Sequence, residues 1–232
     1  MADAGGAHRF ALIVFDWDGT LADSTALIAG CLQGACADLG LPVPTDEDAR
    51  HVIGLGLADA LRHVAPTLPQ DRYAELTARY RDRFLARAGE VHHLAVAREV
   101  VLFAGVREML DELDAAGHLL AIATGKSRAG LARALAQQRI AGRFAATRCA
   151  DEGFPKPHPD MLLHLMDRTG VAAESTLMIG DTTHDLELAR NAGAAAIAMT
   201  HGAHPGAELS RLAPLAAVDS IAALREWLRA NA

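Results

Sequence analysis

The chain has 232 residues, of which 51% are hydrophobic and 22% charged, and its net charge is −7. This composition is typical of a globular protein, and the negative charge argues against a nucleic-acid partner. Three cysteines without a CxxC pair speak against a disulfide scaffold or a zinc site. No apolar stretch precedes residue 10 and no later run is long enough to span a membrane, so we expect a cytoplasmic protein without a membrane partner.

The first predicted element is a buried strand over residues 10–15 (FALIVF), which ends directly before Asp16 and Asp18. From residue 24 to about 90, apolar side chains recur at helical spacing without a convincing strand pattern. Either Asp23 or Ser24 is predicted to cap the first of these helices.

After this helical segment the pattern alternates between strands and helices of 10 to 15 residues. Strands are predicted at 118–124, 144–147, 176–181 and 194–199, and helices at 106–116, 127–138, 159–169, 184–192 and 220–230. Such alternation indicates βαβ units and a parallel sheet. We therefore predict an α/β fold. Its core is a Rossmann-like parallel sheet built from residues 1–22 and 95–232, with an inserted α-helical cap at 23–94.

Polar side chains follow several of the predicted strands. Asp16 and Asp18 follow the first, Thr124 and Gly125 end the second, and Asp181 follows the strand at 176–180. Asp185 comes four residues after Asp181, and Lys156 lies in the proline-rich loop between these strands. Because ligands bind at the carboxyl ends of parallel strands, we expect these residues to meet in one crevice.

Carboxylates that share a small site need a cation. The donor set here offers only oxygen, which indicates Mg²⁺. A lysine, a threonine hydroxyl and main-chain N–H groups would suit a phosphate. One carboxylate could then attack phosphorus while another transfers protons. Of the 22 basic residues only Lys126 and Lys156 are lysines, and the role of Lys126 stays open at this point.

Four segments together carry a family resemblance. In chain order they are DWDGT, ATGK, KPHPD and GDTTHD, and they resemble the four motifs of the haloacid dehalogenase-like hydrolase superfamily. The phosphoglycolate phosphatase-like subgroup is the most similar, since its cap carries a stretch like HVIGLGLADAL. The resemblance implies the following roles: Asp16 as nucleophile, Asp18 as general acid and base, Thr124, Gly125 and Lys156 as phosphate-binding residues, and Asp16, Asp18, Asp181 and Asp185 around Mg²⁺.

The resemblance also implies an activity. We expect a Mg²⁺-dependent phosphatase that hydrolyses a small phosphate monoester through an aspartyl-phosphate, with 2-phosphoglycolate as the leading substrate and a monomer or homodimer as the assembly. A β-phosphoglucomutase-like mutase remains open. A phospho-aspartate signalling domain, of the receiver type, is a further alternative, although receiver domains are about half this size. A non-catalytic relative is another, although such a protein would be expected to lack Asp16 or Asp18.

Several other residues receive weaker interpretations. His92, His93, His201 and His204 are interpreted as solvated loop residues, although His201 could rim the pocket. Arg50 and Arg62 are candidates to meet a substrate carboxylate. The segment Gly54–Gly56 is expected to form a cap loop near the substrate.

Overall fold

The computed structural model describes residues 9–87 and 100–232. Within them a six-stranded sheet has the order β3-β2-β1-β4-β5-β6, with every neighbouring pair parallel. The strands are β1 Leu12–Phe15, β2 Leu119–Thr124, β3 Ala146–Cys149, β4 Thr176–Gly180, β5 Ala195–Met199 and β6 Ala216–Val218. The order places β1 between β2 and β4, so the three strands that precede the polar residues of interest lie side by side.

Helices cover both faces of this sheet. They are α5 Val106–Ala116, α6 Arg128–Gln138, α7 Asp160–Thr169, α8 Thr183–Ala192, α9 Gly206–Ser210 and α10 Ile221–Asn231. Ile13 and Phe15 pack on one side with residues of α5, α6 and α10, whereas Leu12 and Val14 pack on the other with residues of α7 and α8. Because both faces of β1 are buried, its sequence is an unbroken apolar run. The predicted α/β class is confirmed.

Between β1 and α5, the described residues form four further α-helices: α1 Thr25–Asp38, α2 Asp46–His51, α3 Leu57–Val64 and α4 Tyr73–Arg87. We call them the cap helices. They share a separate apolar cluster that includes Ile28, Leu32, Val52, Leu61 and Leu76. Thr45 caps α2 by accepting a hydrogen bond from the main-chain N–H of Asp48.

The structure agrees with most predicted elements, but one strand is displaced and two short elements were not predicted. The strand predicted at 144–147 runs from Ala146 to Cys149. The helix α9 and the strand β6 have no counterpart in the prediction, because five and three residues are too short for a periodic signal. The predicted cap boundary at residue 94 lies outside the described residues and stays a prediction, as do the positions of His92 and His93. None of the helices in the two described stretches is both long and apolar enough to cross a bilayer.

Candidate active site

Asp16 and Lys156 form the centre of the site. Asp16 follows the central strand, and its main-chain N–H donates to the carbonyl of Ile179 at 2.9 Å. The Lys156 ammonium donates to Asp16 Oδ1 at 2.8 Å and to Asp185 Oδ1 at 2.5 Å. All three side chains are buried. Among the described residues, Asp16 Oδ2 has no hydrogen-bond partner, which leaves one buried carboxylate oxygen available.

Burial changes the protonation of this group of side chains. It raises the pKa of Asp16 to about 7, with Lys156 opposing the change and Asp185 adding to it. It also raises the pKa of Asp181 well above its usual range, and repulsion from Asp16 and Asp185 acts in the same direction. Burial lowers the pKa of Lys156, but attraction to Asp16 and Asp185 outweighs that effect, so the net change is upward. With all three carboxylates ionised, the cluster would carry more negative charge than its one lysine balances.

Asp181 is fixed by groups that approach it closely. The Thr20 hydroxyl donates to Asp181 Oδ1 at 2.6 Å, and the main-chain N–H of Ala203 donates to Oδ2 at 2.7 Å. A Cβ at Gly19 or Gly202 would overlap the Asp181 carboxylate, and Gly19 also has a φ of 84°. Both positions therefore require glycine. The sequence analysis did not identify Thr20 or Ala203, because neither residue type signals such a contact.

Asp185 is held by the start of α8. The N-cap residue Thr182 and Asp185 form a reciprocal capping box, in which Asp185 Oδ2 accepts from the Thr182 main-chain N–H at 3.1 Å and from its hydroxyl at 2.7 Å. Its other oxygen accepts from Lys156, so both oxygens are engaged. The sequence analysis missed this box, although a threonine followed three residues later by a carboxylate is a recognisable signal.

The carboxylates fit a hard divalent cation. Oxygen atoms of Asp16, Asp181 and Asp185 lie within 4.8 Å of one another. Three buried carboxylates against one lysine leave a negative charge that Mg²⁺ would balance, and Asp16 Oδ2 lacks a partner in the described chain. The residues present therefore suit the ion. Asp185 could bind the ion directly only if it released its hydrogen bond with Lys156 or with Thr182.

Asp18 faces a second lysine. Asp18 Oδ1 accepts from the Ser24 hydroxyl at 2.6 Å and lies 3.1 Å from Lys126 Nζ. Of the two predicted caps of α1, Asp23 and Ser24, the structure places Ser24 at the N-cap position, but its hydroxyl makes no cap bond and binds Asp18 instead. Lys126 Nζ also lies 5.0 Å from the centre of the Phe84 ring, so Lys126 joins the site to a cap helix.

Thr124 and Gly125 end the strand beside β1. Thr124 is buried, and its hydroxyl oxygen accepts from the Lys126 main-chain N–H at 3.2 Å. A Cβ at Gly125 would lie 2.6 Å from the Gly54 carbonyl oxygen and closer still to that of Leu55. The cap loop at residues 54–56 therefore rests directly on the predicted phosphate-binding turn, in agreement with its predicted position.

Comparison with known proteins now identifies the family. The family model described as haloacid dehalogenase-like hydrolase matches residues 13–199, which include every motif described above. This chain belongs to the haloacid dehalogenase-like hydrolases.

Individual relatives agree with this assignment. A probable phosphatase, IndB of Dickeya dadantii, is 36% identical over 217 residues, covering 90% of this chain and 89% of the relative. A phosphoglycolate phosphatase of Vibrio parahaemolyticus is 35% identical over 230 residues, covering 95% and 97%. The crystal structure of a predicted phosphoglycolate phosphatase from Haemophilus somnus has a TM-score of 0.78 and 25% identity, covering 95% of this hydrolase and 99% of that chain.

A cavity of about 480 Å³ separates the cap helices of this hydrolase from the sheet edge. Asp18 and Lys126 line it on the core side. Arg62 lines it as well and pairs with Asp59 at 2.9 Å, so it stays a candidate for contact with substrate. Arg50 instead pairs with Asp46 and lines a separate cavity of about 210 Å³.

Histidines join the cap to the core beside that smaller cavity. His204 is 2% exposed, so its interpretation as a solvated loop residue is wrong. Its Nδ1 accepts from the Thr183 main-chain N–H, and its Nε2 donates to the His51 carbonyl at 3.0 Å. His184 Nε2 reaches the same carbonyl, also at 3.0 Å.

The contacts of His204, rather than its protonation, argue against a second metal site. Burial lowers the pKa of His204 to about 4, and repulsion from His184 adds to this. Together with His51 and Glu208 it forms a cluster of metal-ligand geometry, but both of its ring nitrogens are already engaged. His201 is partly buried against Phe103, with ring centroids 4.3 Å apart.

Proposed function

We propose that this hydrolase is a Mg²⁺-dependent phosphatase that cleaves a small phosphate monoester through an aspartyl-phosphate on Asp16. One observation carries the proposal: a buried carboxylate has one oxygen held by Lys156 and the other without a partner among the described residues. A nucleophile needs a fixed orientation and a free electron pair, and Asp16 has both. The two relatives described above are both named as phosphatases, which supports the reaction class.

In the first step, Asp16 forms a bond to phosphorus while the bond between phosphorus and the alcohol oxygen breaks. Asp18 donates a proton to that departing oxygen. Lys156, the Thr124 hydroxyl and the main-chain N–H groups of the turn at Gly125 stabilise the charge on the phosphoryl oxygens.

In the second step, water attacks the phosphorus of the aspartyl-phosphate and Asp18 accepts its proton. The bond between Asp16 and phosphorus breaks, which releases phosphate and restores the carboxylate. Asp16, Asp181 and the main-chain carbonyl of Asp18 would hold Mg²⁺, which when bound offsets negative charge on the carboxylates and the phosphoryl group.

Asp185 has a supporting part in this scheme. Because one of its oxygens binds Lys156 and the other binds Thr182, we assign it the orientation of the lysine. Direct metal binding by Asp185 stays a prediction. The division into core and cap, the cytoplasmic location and the monomer or homodimer likewise stay predictions.

The leading candidate substrate is 2-phosphoglycolate, which the name of the Vibrio relative supports. A mutase would use the same aspartyl-phosphate but would return the phosphoryl group to a second hydroxyl of a sugar. A signalling domain would form the phosphorylated aspartate without turnover. Product analysis separates these alternatives, since only a phosphatase releases inorganic phosphate continuously.

The test is phosphate release from 2-phosphoglycolate, β-glucose 1-phosphate, glucose 6-phosphate and mononucleotides, with Mg²⁺ and with EDTA. We expect turnover only with Mg²⁺, loss of turnover in Asp16→Asn, and normal turnover in Asp23→Asn, which makes the same change at an exposed residue. Asp16→Asn activity equal to that of the wild type would refute the nucleophile assignment. Conversion of glucose 1-phosphate without phosphate release would favour the mutase.

A further inference from the structure

The large cavity is continuous with the proposed reaction centre. Asp18, the proposed proton donor to the departing alcohol, is part of its wall, and Lys126 lies beside it. An ester whose phosphate sits at Asp16 would therefore place its alcohol portion in this cavity. What the cavity can hold decides which alcohols the hydrolase accepts, so this inference rests on the proposed function.

The cavity has this size with the cap already in contact with the core. The carbonyl groups of Gly54 and Leu55 lie so close to Gly125 that even one added methyl group would overlap them. His184 and His204 of the core both donate to the carbonyl of His51 on the cap side. Further closure along these contacts is therefore blocked.

This volume exceeds what glycolate needs. A water-sized group takes about 30 Å³ in the liquid, so the roughly five non-hydrogen atoms of glycolate need about 150 Å³. The cavity measures about 480 Å³. Glycolate would leave roughly two-thirds of it to solvent, against walls that include many apolar side chains.

The cap side of the cavity is apolar and aromatic. Ile28 and Leu32 of α1 and Tyr80 and Phe84 of α4 line it. The Tyr80 and Phe84 rings stack with centroids 6.0 Å apart and an interplanar angle of 26°. Burial raises the pKa of Tyr80, so this ring stays neutral. Flat, neutral rings of this kind bind other flat rings by stacking.

The charges of the lining nearly balance. The lining contains four cations, Arg62, Arg81, Lys126 and Arg133, and three carboxylates, Asp18, Asp59 and Asp151. Two of the cations already pair within the lining, Arg62 with Asp59 and Lys126 with Asp18. An uncharged ring in the cavity would leave both of these ion pairs intact.

We propose that the substrate range extends beyond 2-phosphoglycolate to phosphate monoesters whose alcohol portion carries a flat, largely apolar ring, which packs against Tyr80 and Phe84. A nucleobase and an aryl group share this chemistry. The ring contributes binding that the phosphate alone does not supply. Phe84 is then a specificity-determining residue, since its ring faces both the cavity and the ammonium of Lys126.

The test compares esters that differ only by the ring. Adenosine 5′-monophosphate is paired with ribose 5-phosphate, and benzyl phosphate with ethyl phosphate, so that the departing alcohols within a pair are of similar acidity. We expect kcat/KM to be about tenfold or more higher for the ring-bearing member of at least one pair. Preference in the first pair alone would identify the nucleobase as the source, and preference in the second alone the aryl group.

Two variants test the residue. Phe84→Leu should reduce the preference at least threefold while turnover of ribose 5-phosphate persists, which also shows that the variant folds. Phe103→Leu makes the same change at a partly buried phenylalanine outside the cavity and should leave the preference unchanged.

Three results would overturn the inference in distinguishable ways. Equal kcat/KM within both pairs, with active hydrolysis of 2-phosphoglycolate, would refute the ring site and leave the proposed function intact. An equal loss of preference in both phenylalanine variants would remove the role of Phe84. No phosphate release from any ester would refute the proposed function, and the ring site with it.

Discussion

The contact between Gly125 and the cap loop leads to a sharp prediction. In Gly125→Ala the new Cβ would lie 2.6 Å from the Gly54 carbonyl oxygen, whereas ordinary contacts begin at 3.4 Å. The atoms in the way belong to the backbone, so the loop as a whole must move by about 1 Å, and a displacement of that size can reduce turnover about 100-fold. We therefore expect kcat/KM to fall about 100-fold while the core stays folded, because the cap can lift instead.

The assay is steady-state phosphate release together with urea unfolding. Gly142→Ala is the matched control, since a Cβ at Gly142 meets nothing within 4 Å. The control should keep both activity and stability. A Gly125→Ala variant with kcat/KM within threefold of the wild type would show that the closed contact does not belong to the active conformation.

Three further changes probe stability by urea unfolding. The pKa of His204 is about 4 in the folded protein, against an ordinary value of 6.5. Between these two pH values the unfolded chain binds a proton that the folded chain does not. The free energy of unfolding should therefore fall by up to about 3 kcal/mol as the pH drops from 6.5 to 4. His204→Gln should flatten that slope, and an unchanged slope would assign it to other groups. Lys156→Met leaves buried carboxylates without a balancing charge and should lower the free energy of unfolding, measured in EDTA, by about 3–5 kcal/mol. The double variant Lys156→Met/Asp185→Asn should recover part of that loss, and no recovery would contradict the pairing of Lys156 with Asp185. Thr182→Val removes the cap of α8 and should cost about 1 kcal/mol, whereas an unchanged midpoint would show that the helix start is held elsewhere.

The sequence was informative where local chemistry determines structure. The strands before Asp16 and Asp181 are apolar on both faces, and their burial leaves a pattern that can be read without a structure. The convergence of Asp16, Lys156 and Asp181 could be expected because parallel strands end at one edge. The elements missed are the short ones, α9 and β6, which gain their stability from packing rather than from a pattern of their own.

Contacts between distant segments were not predictable from the sequence. Nothing local distinguishes the buried His204 from a solvated loop histidine, because its burial depends on the cap residue His51. Ser24 has the sequence signature of a helix cap, and only the fold reveals that its hydroxyl meets Asp18. The position of Lys126 between Asp18 and Phe84 likewise requires the cap and the core to be brought together.

The scarcity of lysine gives this hydrolase an unusual proteolytic property. Lys126 and Lys156 are its only lysines, and Lys156 is buried at the centre of the site, so the folded chain shields the bond after it. The remaining bond, between Lys126 and Ser127, adjoins the turn on which the cap loop rests. A lysine-specific protease would thus make a single cut, into residues 1–126 and 127–232, and only when the cap lifts. The rate of that cleavage therefore measures how often the cap opens in the unlabelled chain, and a bound substrate or product should lower this rate.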